Sequence, residues 1–146
     1  MGERFKLVSA VHVMLIRDGR LLLLRRYHTG YEDGQYSVIA GHLDGNEMVV
    51  AAAVREAREE AGIELDAGQA RVAAVMHRKS DDERIDWFVV AGRWSGEVRI
   101  TEPEKCDAMT WFALNDLPAN VIPYVRRAIS NILHGHWFDS YGWDEA

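Results

Sequence analysis

The residues of this chain best suited to chemistry are the three carboxylates in REAREEAG, Arg55 to Gly62. Glu56, Glu59 and Glu60 stand three and four positions apart, a spacing that on a helix brings neighbouring β-carbons to about 5 to 6 Å. Near a helix C-terminus they oppose the macrodipole, and Glu56 with Glu60 is an i,i+4 like-charge pair, so each feature costs roughly a few tenths of a kcal/mol. A shared cation would offset that cost. Mg²⁺ takes oxygen ligands at about 2.0 to 2.1 Å and completes its shell with water and substrate phosphates. The chemistry on offer is therefore metal-assisted work on a phosphate-bearing ligand. A solvated helix face is the other reading, with Arg55 and Arg58 paired to the acids. Arg55 and Glu59 are i,i+4 neighbours in the weaker orientation, so such pairs contribute only about tenths of a kcal/mol. On the helix alone both readings stand.

The elements around these residues must hold them. At about 100° per residue, Val54, Ala57 and Ala61 fall within about 40° of Val50, while Glu56, Glu59 and Glu60 span an arc of about 100° facing away from that stripe. Asn46 is placed to cap a helix from Glu47 to about Ala61, and Gly62 stands where a left-handed C′ residue is wanted. Upstream, LVSAVHVMLI (Leu7 to Ile16) and LLLLRR (Leu21 to Arg26) predict a hairpin around Asp18 and Gly19. A polar, aromatic loop over 27–35 leads into YSVIA, a short strand ending at Gly41. Downstream, Val72 to Arg78, Ile85 to Trp94 and Met109 to Leu114 predict strands, and Pro123 opens a helix through Leu133. HGHWFDSYGWDEA shows no period. Strands without regular βα alternation point to a mixed sheet with helices packed on it.

The chain has 146 residues and reads as one domain, 1–146, without repeat, low-complexity segment or linker. That length buries roughly two thirds of the unfolded surface. A formal charge of −6 argues against adhesion to nucleic acid polymers or anionic membranes and leaves a metal-screened phosphate ligand open. Cys106 is the only cysteine, which rules out an internal disulfide or a cysteine-based zinc cluster and fits a reducing cytoplasm. No apolar stretch is long enough for a membrane span, and no signal peptide opens the chain. A cytoplasmic protein is expected.

From Gly41 the segment reads GHLDGNEMVVAAAVREAREEAGI and resembles the Nudix box, G-x5-E-x7-R-E-U-x-E-E-x-G-U with U a bulky aliphatic residue. Gly41, Glu47, Arg55, Glu56, Glu59, Glu60, Gly62 and Ile63 match in register; Ala57 departs, small where the pattern prefers a larger aliphatic side chain. The resemblance implies an α/β fold, an α/β/α sandwich with a mixed sheet, and hydrolysis of a nucleoside diphosphate linked to another group with Mg²⁺ or Mn²⁺. It assigns metal binding to Glu56, Glu59 and Glu60, with help from the Gly41 carbonyl, and a bracing ion pair to Glu47 and Arg55. Glu56 is the first choice for the general base, with a glutamate from a remote loop as the other.

Beyond the box, TEPEKCDAMTWF (Thr101 to Phe112) resembles the EPxK segment of Nudix hydrolases of nucleoside triphosphates, including MutT-like enzymes. By that resemblance Glu102 or Glu104, with Glu104 placed among the metal ligands, joins the site and Lys105 meets phosphate; an exposed turn around Pro103 is the alternative. Arg25 or Arg26 is available for phosphate, and Tyr31, Tyr36, Trp87, Phe88 and Tyr124 for base stacking, although most strand aromatics are core. Arg25, Tyr31, Trp87 and Lys105 are the substrate contacts selected. His42 reads as a backbone cap rather than a phosphate ligand, and Cys106 as packing. Ile39 and Ala40 stand where many relatives carry Pro-Gly. The expected substrate is a nucleoside or deoxynucleoside triphosphate, oxidised guanine nucleotides included, cleaved to monophosphate and pyrophosphate. A nucleoside diphosphate sugar such as ADP-ribose is the alternative, as is a non-catalytic nucleotide-binding module. A homodimer is among the allowed assemblies, although the N-terminal extension that many sugar-nucleotide hydrolases use to dimerise is not recognisable here.

Overall fold

The computed structural model describes residues 2–144, the domain expected over 1–146 less its terminal residues. Its strands are β1 (Val8–Arg17), β2 (Arg20–Arg26), β3 (Tyr36–Ser37), β4 (Ile39–His42), β5 (Glu64–Leu65), β6 (Ala70–Lys79), β7 (Glu83–Ala91), β8 (Trp94–Ser95), β9 (Cys106–Ala113) and β10 (Phe138–Tyr141). Helix α1 (Val49–Ala61) follows β4, and α2 (Pro123–Leu133) follows β9.

β1 is the axis. It runs parallel to β7 from Val8 to Leu15 and antiparallel to β4 from Ala10 to Val13. With both edges taken, β1 meets β2 only beside the turn, at Ile16↔Leu21 and Arg17↔Arg20. β2 then diverges to pair with β9 along its length and with β3 at Leu24 and Arg25. The four consecutive leucines of β2 are buried on both faces: Leu22 and Leu24 join the cluster under α1, while Leu21 and Leu23 join the cluster under α2. A continuous apolar run suits a strand with no wet face. α1 covers one face of the sheet through Ala53, Ala57 and Ala61, and α2 covers the other through Val125, Ala128 and Ile129. The result is the α/β/α sandwich with a mixed sheet that the sequence predicts.

Four local expectations are corrected. Asn46 does not cap α1: the cap position is Met48, with no side-chain bond, and Asn46 itself sits at φ +54°. The helix therefore starts two residues after Glu47, whose carboxylate is instead used to hold the loop. YSVIA is two strands, because β3 pairs with β2 and β4 with β1, and the chain changes partner at Val38. The strand expected to reach Trp94 stops at Ala91, and Trp94 pairs with Leu65 in the small β5–β8 ladder. The aperiodic tail contains β10, parallel to β6 over Phe138↔Val75 to Tyr141↔Arg78. An edge strand of four residues carries too short a pattern to be read locally. Gly62 does take the left-handed conformation, φ +67°, and its N–H donates to the Arg58 carbonyl at 3.1 Å. Among the described residues no helix is long and apolar enough to cross a membrane.

Candidate metal and phosphate site

The acids of α1 do not share a solvent face. Glu56 is buried, 7% exposed, Glu60 is half-buried, and the Glu59 side chain is 55% exposed. The helix buries Ala52, Ala53, Glu56, Ala57 and Ala61, so its inward face is rotated toward the carboxylates and away from Val50 and Val54. The cause lies on the facing strand. A β-carbon on Gly41 would fall 2.6 Å from Glu56 Oε2 and nearer still to Oε1, so β4 leaves room for a carboxylate only because residue 41 has no side chain. Alanines on the helix allow the same close approach. Ala57, the departure from the box, belongs to this small-residue contact.

Arg55 braces the group. Its Nη2 donates to Glu47 Oε1 at 2.8 Å and to the His42 carbonyl at 3.1 Å, Nε donates to Glu47 Oε2 at 3.2 Å, and Nη1 donates to Glu56 Oε1 at 2.7 Å. Glu47 also accepts the Asp44 N–H at 2.9 Å, which closes the loop onto the helix. The Arg55 guanidinium and that N–H hold the Glu47 carboxyl below its ordinary range. Glu59 lies 3.6 Å from Arg55 Nη1, and Arg58 turns away to Glu64 at 2.6 Å. The expected Glu47–Arg55 pair is present; the pairing of Arg58 with the acids is not.

Burial raises the Glu56 carboxyl above its ordinary range, against the pull of Arg55. Burial and the neighbouring Glu56 charge raise Glu60 well above it. The Ala40 N–H donates to Glu60 Oε2 at 3.1 Å. Two negative charges side by side in this position are costly, and that cost is what lifts both carboxyls. Such a pair suits a hard divalent cation, which would balance both charges, and its donor set is all oxygen. Among the described residues no three acidic, histidine or cysteine side chains converge as a ready-made metal cluster. Glu56 and Glu60 meet one another, and Glu59 leans toward Arg55.

These carboxylates line a cleft of about 480 Å³. Glu102 is on its wall, Glu104 is exposed outside it, and Lys105 and Arg25 line it too. Glu102 arrives because the loop before it is tied to the end of α1. The Arg99 N–H donates to the Ala61 carbonyl at 3.0 Å, and the Thr101 hydroxyl donates to the Glu59 carbonyl. Those bonds satisfy carbonyls that a helix end leaves open. Of the two acids flanking Pro103, the structure therefore puts Glu102 in the cleft and corrects the placement of Glu104. Arg25 is held by Asp107 through bonds of 2.7 and 3.1 Å.

The remaining expectations separate. Tyr31 lines a second cleft on the α2 side, its ring 5.2 Å from the Arg26 guanidinium. Trp87 lines neither cleft; its indole N–H donates to Ser9 Oγ at 2.8 Å. Cys106 is buried among the apolar residues under α1. Sequence reasoning missed a buried polar group on the α2 side, formed by His12, Arg78 and Asp86 with Tyr124. Its signal was available: polar residues interrupt the inward positions of three strands otherwise rich in apolar ones.

Comparison with known proteins agrees with this geometry. Residues 6–132 match the model of the NUDIX domain. A MutT NUDIX hydrolase from Burkholderia pseudomallei superposes with a TM-score of 0.79 at 31% identity, over 86% of this chain and 98% of that one. The NAD-capped RNA hydrolase NudC of Stutzerimonas stutzeri is 26% identical over 120 residues, 80% of this chain but 41% of its own length. The CTP pyrophosphohydrolase of Escherichia coli K12 is 34% identical over 64 residues, 44% of this chain and 47% of that protein. The chain thus spans about two fifths to one half of these two relatives. With the domain matched across most of its length, the Glu47–Arg55 brace in place and Glu56 and Glu60 on one cleft, the chain belongs to the Nudix hydrolase family, enzymes that act on phosphoric anhydrides.

Proposed function

We propose that the chain hydrolyses nucleoside or deoxynucleoside triphosphates, oxidised guanine nucleotides included, to a monophosphate and pyrophosphate. The observation that carries this reading is that Glu56 and Glu60, with their raised carboxyls, line one cleft together with Arg25 and Lys105. Glu56, Glu59 and Glu60 would hold Mg²⁺ or Mn²⁺, with Glu102 and the Gly41 backbone beside them. Bound there, the ion would neutralise phosphate oxygens and lower the pKa of a coordinated water. Arg25 and Lys105 bind and orient the non-reacting phosphates. Arg55 fixes the Glu56 carboxylate by the 2.7 Å bond and keeps Glu47 against the loop. Glu56 accepts the proton of the attacking water as its oxygen bonds to the internal phosphorus and the bond to the departing pyrophosphate breaks. A carboxyl raised by burial is better matched to that task than an exposed one.

The test is product formation on a nucleotide panel with Mg²⁺ and with chelator. The panel holds common and oxidised triphosphates, ADP-ribose, and CTP and NAD-capped RNA, for which the two relatives are named. Pyrophosphate released from triphosphates in a Mg²⁺-dependent way is the expected result. AMP and ribose 5-phosphate from ADP-ribose alone would replace this reading with the sugar-nucleotide one. No hydrolysis of any member at micromolar enzyme would leave only a nucleotide-binding module.

A further inference from the structure

The cationic wall of the first cleft is built on an irregularity in one strand pair. β9 pairs antiparallel with β2 from Arg20↔Ala113 to Arg25↔Ala108, but the next pair is Arg26↔Cys106. Asp107 is therefore an extra residue on β9, the mark of a β-bulge. Side chains alternate along a strand, and a slip of one residue exchanges the faces. On β9, Met109 and Trp111 pack on the cluster under α1, and Phe112 packs on the cluster under α2. Alternation alone would carry Cys106 to the α2 side. It lies instead in the cluster under α1, opposite Arg26. The bulge has turned the chain over at Cys106, and the turn before it follows. The Lys105 and Cys106 N–H groups both donate to the Glu102 carbonyl, at 2.9 and 3.0 Å, and all three residues line the first cleft.

Asp107 also acts on the facing strand. Its carboxylate accepts from Nε and Nη2 of Arg25 at 2.7 and 3.1 Å. Leu21 and Leu23 pack toward α2, and Arg25 follows in the same alternation; with Asp107 at its fork it nevertheless lines the cleft of the α1 carboxylates. Both side chains are partly exposed, 39% and 34%, and an ion pair so placed contributes little to stability. What it supplies is geometry: two bonds fix the plane of a guanidinium that a single contact would leave free to rotate.

We propose that Asp107 is a positioning residue for phosphate binding: as the extra residue of the bulge it fixes the Arg25 guanidinium in the cleft, and the bulge turns Lys105 to the same cleft. The inference rests on the nucleotide reading of that cleft. An aspartate repels phosphate, and Asp107 is not on the cleft wall, so it acts through Arg25. Lys105, by contrast, is a contact in its own right.

A double-mutant cycle of Asp107→Asn with Arg25→Met in the full chain tests this. The readouts are calorimetric binding of inorganic tripolyphosphate with Mg²⁺, and KM and kcat on the best nucleotide of the panel. Asp107→Asn keeps the shape and sets an amide donor against one arm of the fork. It should weaken tripolyphosphate binding about tenfold and raise KM more than it lowers kcat. In the Arg25→Met background it should change either value by no more than about twofold, whereas in the Lys105→Met background its loss should appear in full. A loss that persists undiminished in Arg25→Met would give Asp107 a general structural role and overturn the assignment. Wild-type affinity in Asp107→Asn, or no binding of tripolyphosphate by the wild type, would overturn it too. If Arg25→Met does not fold, Arg25→Lys, which keeps the charge and loses the fork, takes its place in the cycle. Tripolyphosphate binding that depends on Asp107 through Arg25, without hydrolysis of any nucleotide, would overturn the proposed hydrolysis and leave this assignment standing. Hydrolysis of triphosphates with a KM that Asp107→Asn leaves unmoved would do the reverse.

Discussion

Gly41 and Glu56 occupy what would be one space: a β-carbon on the strand residue would overlap the carboxylate of the helix residue. The glycine is required here for close approach, and the inward turn of the acids depends on it. Gly41→Ala is expected to push the Glu56 carboxylate out of place, costing about 1 to 3 kcal/mol in stability as an overpacked contact. Turnover should fall at least about tenfold, one misplaced group near the reacting atoms being enough for that. Urea unfolding and kcat on the preferred nucleotide check both; wild-type kcat in a folded variant would show that the contact does not position the site.

Glu59 is the exposed acid of the three, its carboxylate 3.6 Å from Arg55 Nη1 at a surface position. Glu59→Gln should keep the melting temperature of the wild type and lose most of the rate at limiting Mg²⁺, because it removes a charge without changing shape. Thermal scans and a Mg²⁺ titration of the rate separate the two effects, and unchanged turnover at limiting Mg²⁺ would remove Glu59 from the metal ligands.

Arg55 serves Glu47, Glu56 and the His42 carbonyl with one rigid fork. Lysine keeps the charge but cannot span three acceptors. Arg55→Lys should therefore lower the urea midpoint and reduce kcat more than it raises KM, since it loosens Glu56 rather than the phosphate contacts. A pure KM effect would assign Arg55 to the substrate instead.

His12 gives the protein a pH-dependent stability. Burial depresses its pKa from 6.5 to about 4, with Arg78 and Arg84 acting in the same direction and Asp86 opposing. Its ring is stacked on Phe88, and Nε2 lies 2.8 Å from the Tyr124 hydroxyl. Between these two pKa values the unfolded chain binds a proton that the folded chain does not. The contribution is thus present above pH 6.5 and is lost as pH falls toward 4. From pH 7 to pH 5 the loss attributable to His12 is about 2 kcal/mol. Urea midpoints of the wild type and His12→Gln at the two pH values should show a larger loss between pH 7 and pH 5 in the wild type than in the variant; equal slopes would refute the assignment.

Asn46 stands at φ +54° and caps nothing. Asn46→Gly should be neutral or stabilising, whereas Asn46→Ser, a good cap but a poor left-handed residue, should cost about 1 kcal/mol. The reverse order in thermal unfolding would restore Asn46 as a cap.

What the sequence determined by itself was local and periodic. The β1–β2 hairpin and the left-handed Gly62 follow from spacings of a few residues, which backbone geometry turns directly into position, and the Glu47–Arg55 brace follows from the family pattern read in register from Gly41 to Ile63. The tertiary structure decided what depends on the facing surface. A helical wheel of the apolar positions from Val50 put the acids away from the packed face, but Gly41 across the interface has no side chain and the helix offers alanines, so Glu56 turned inward and Glu60 became half-buried. Glu102 rather than Glu104 reached the cleft because Arg99 and Thr101 fasten that loop to the end of α1. Arg84 came to lie against His42, 42 positions away in the chain, only because β7 and β4 pair with the two edges of β1. No spacing rule covers such a separation: burial and partnership belong to both surfaces of a contact, and a sequence displays one surface at a time.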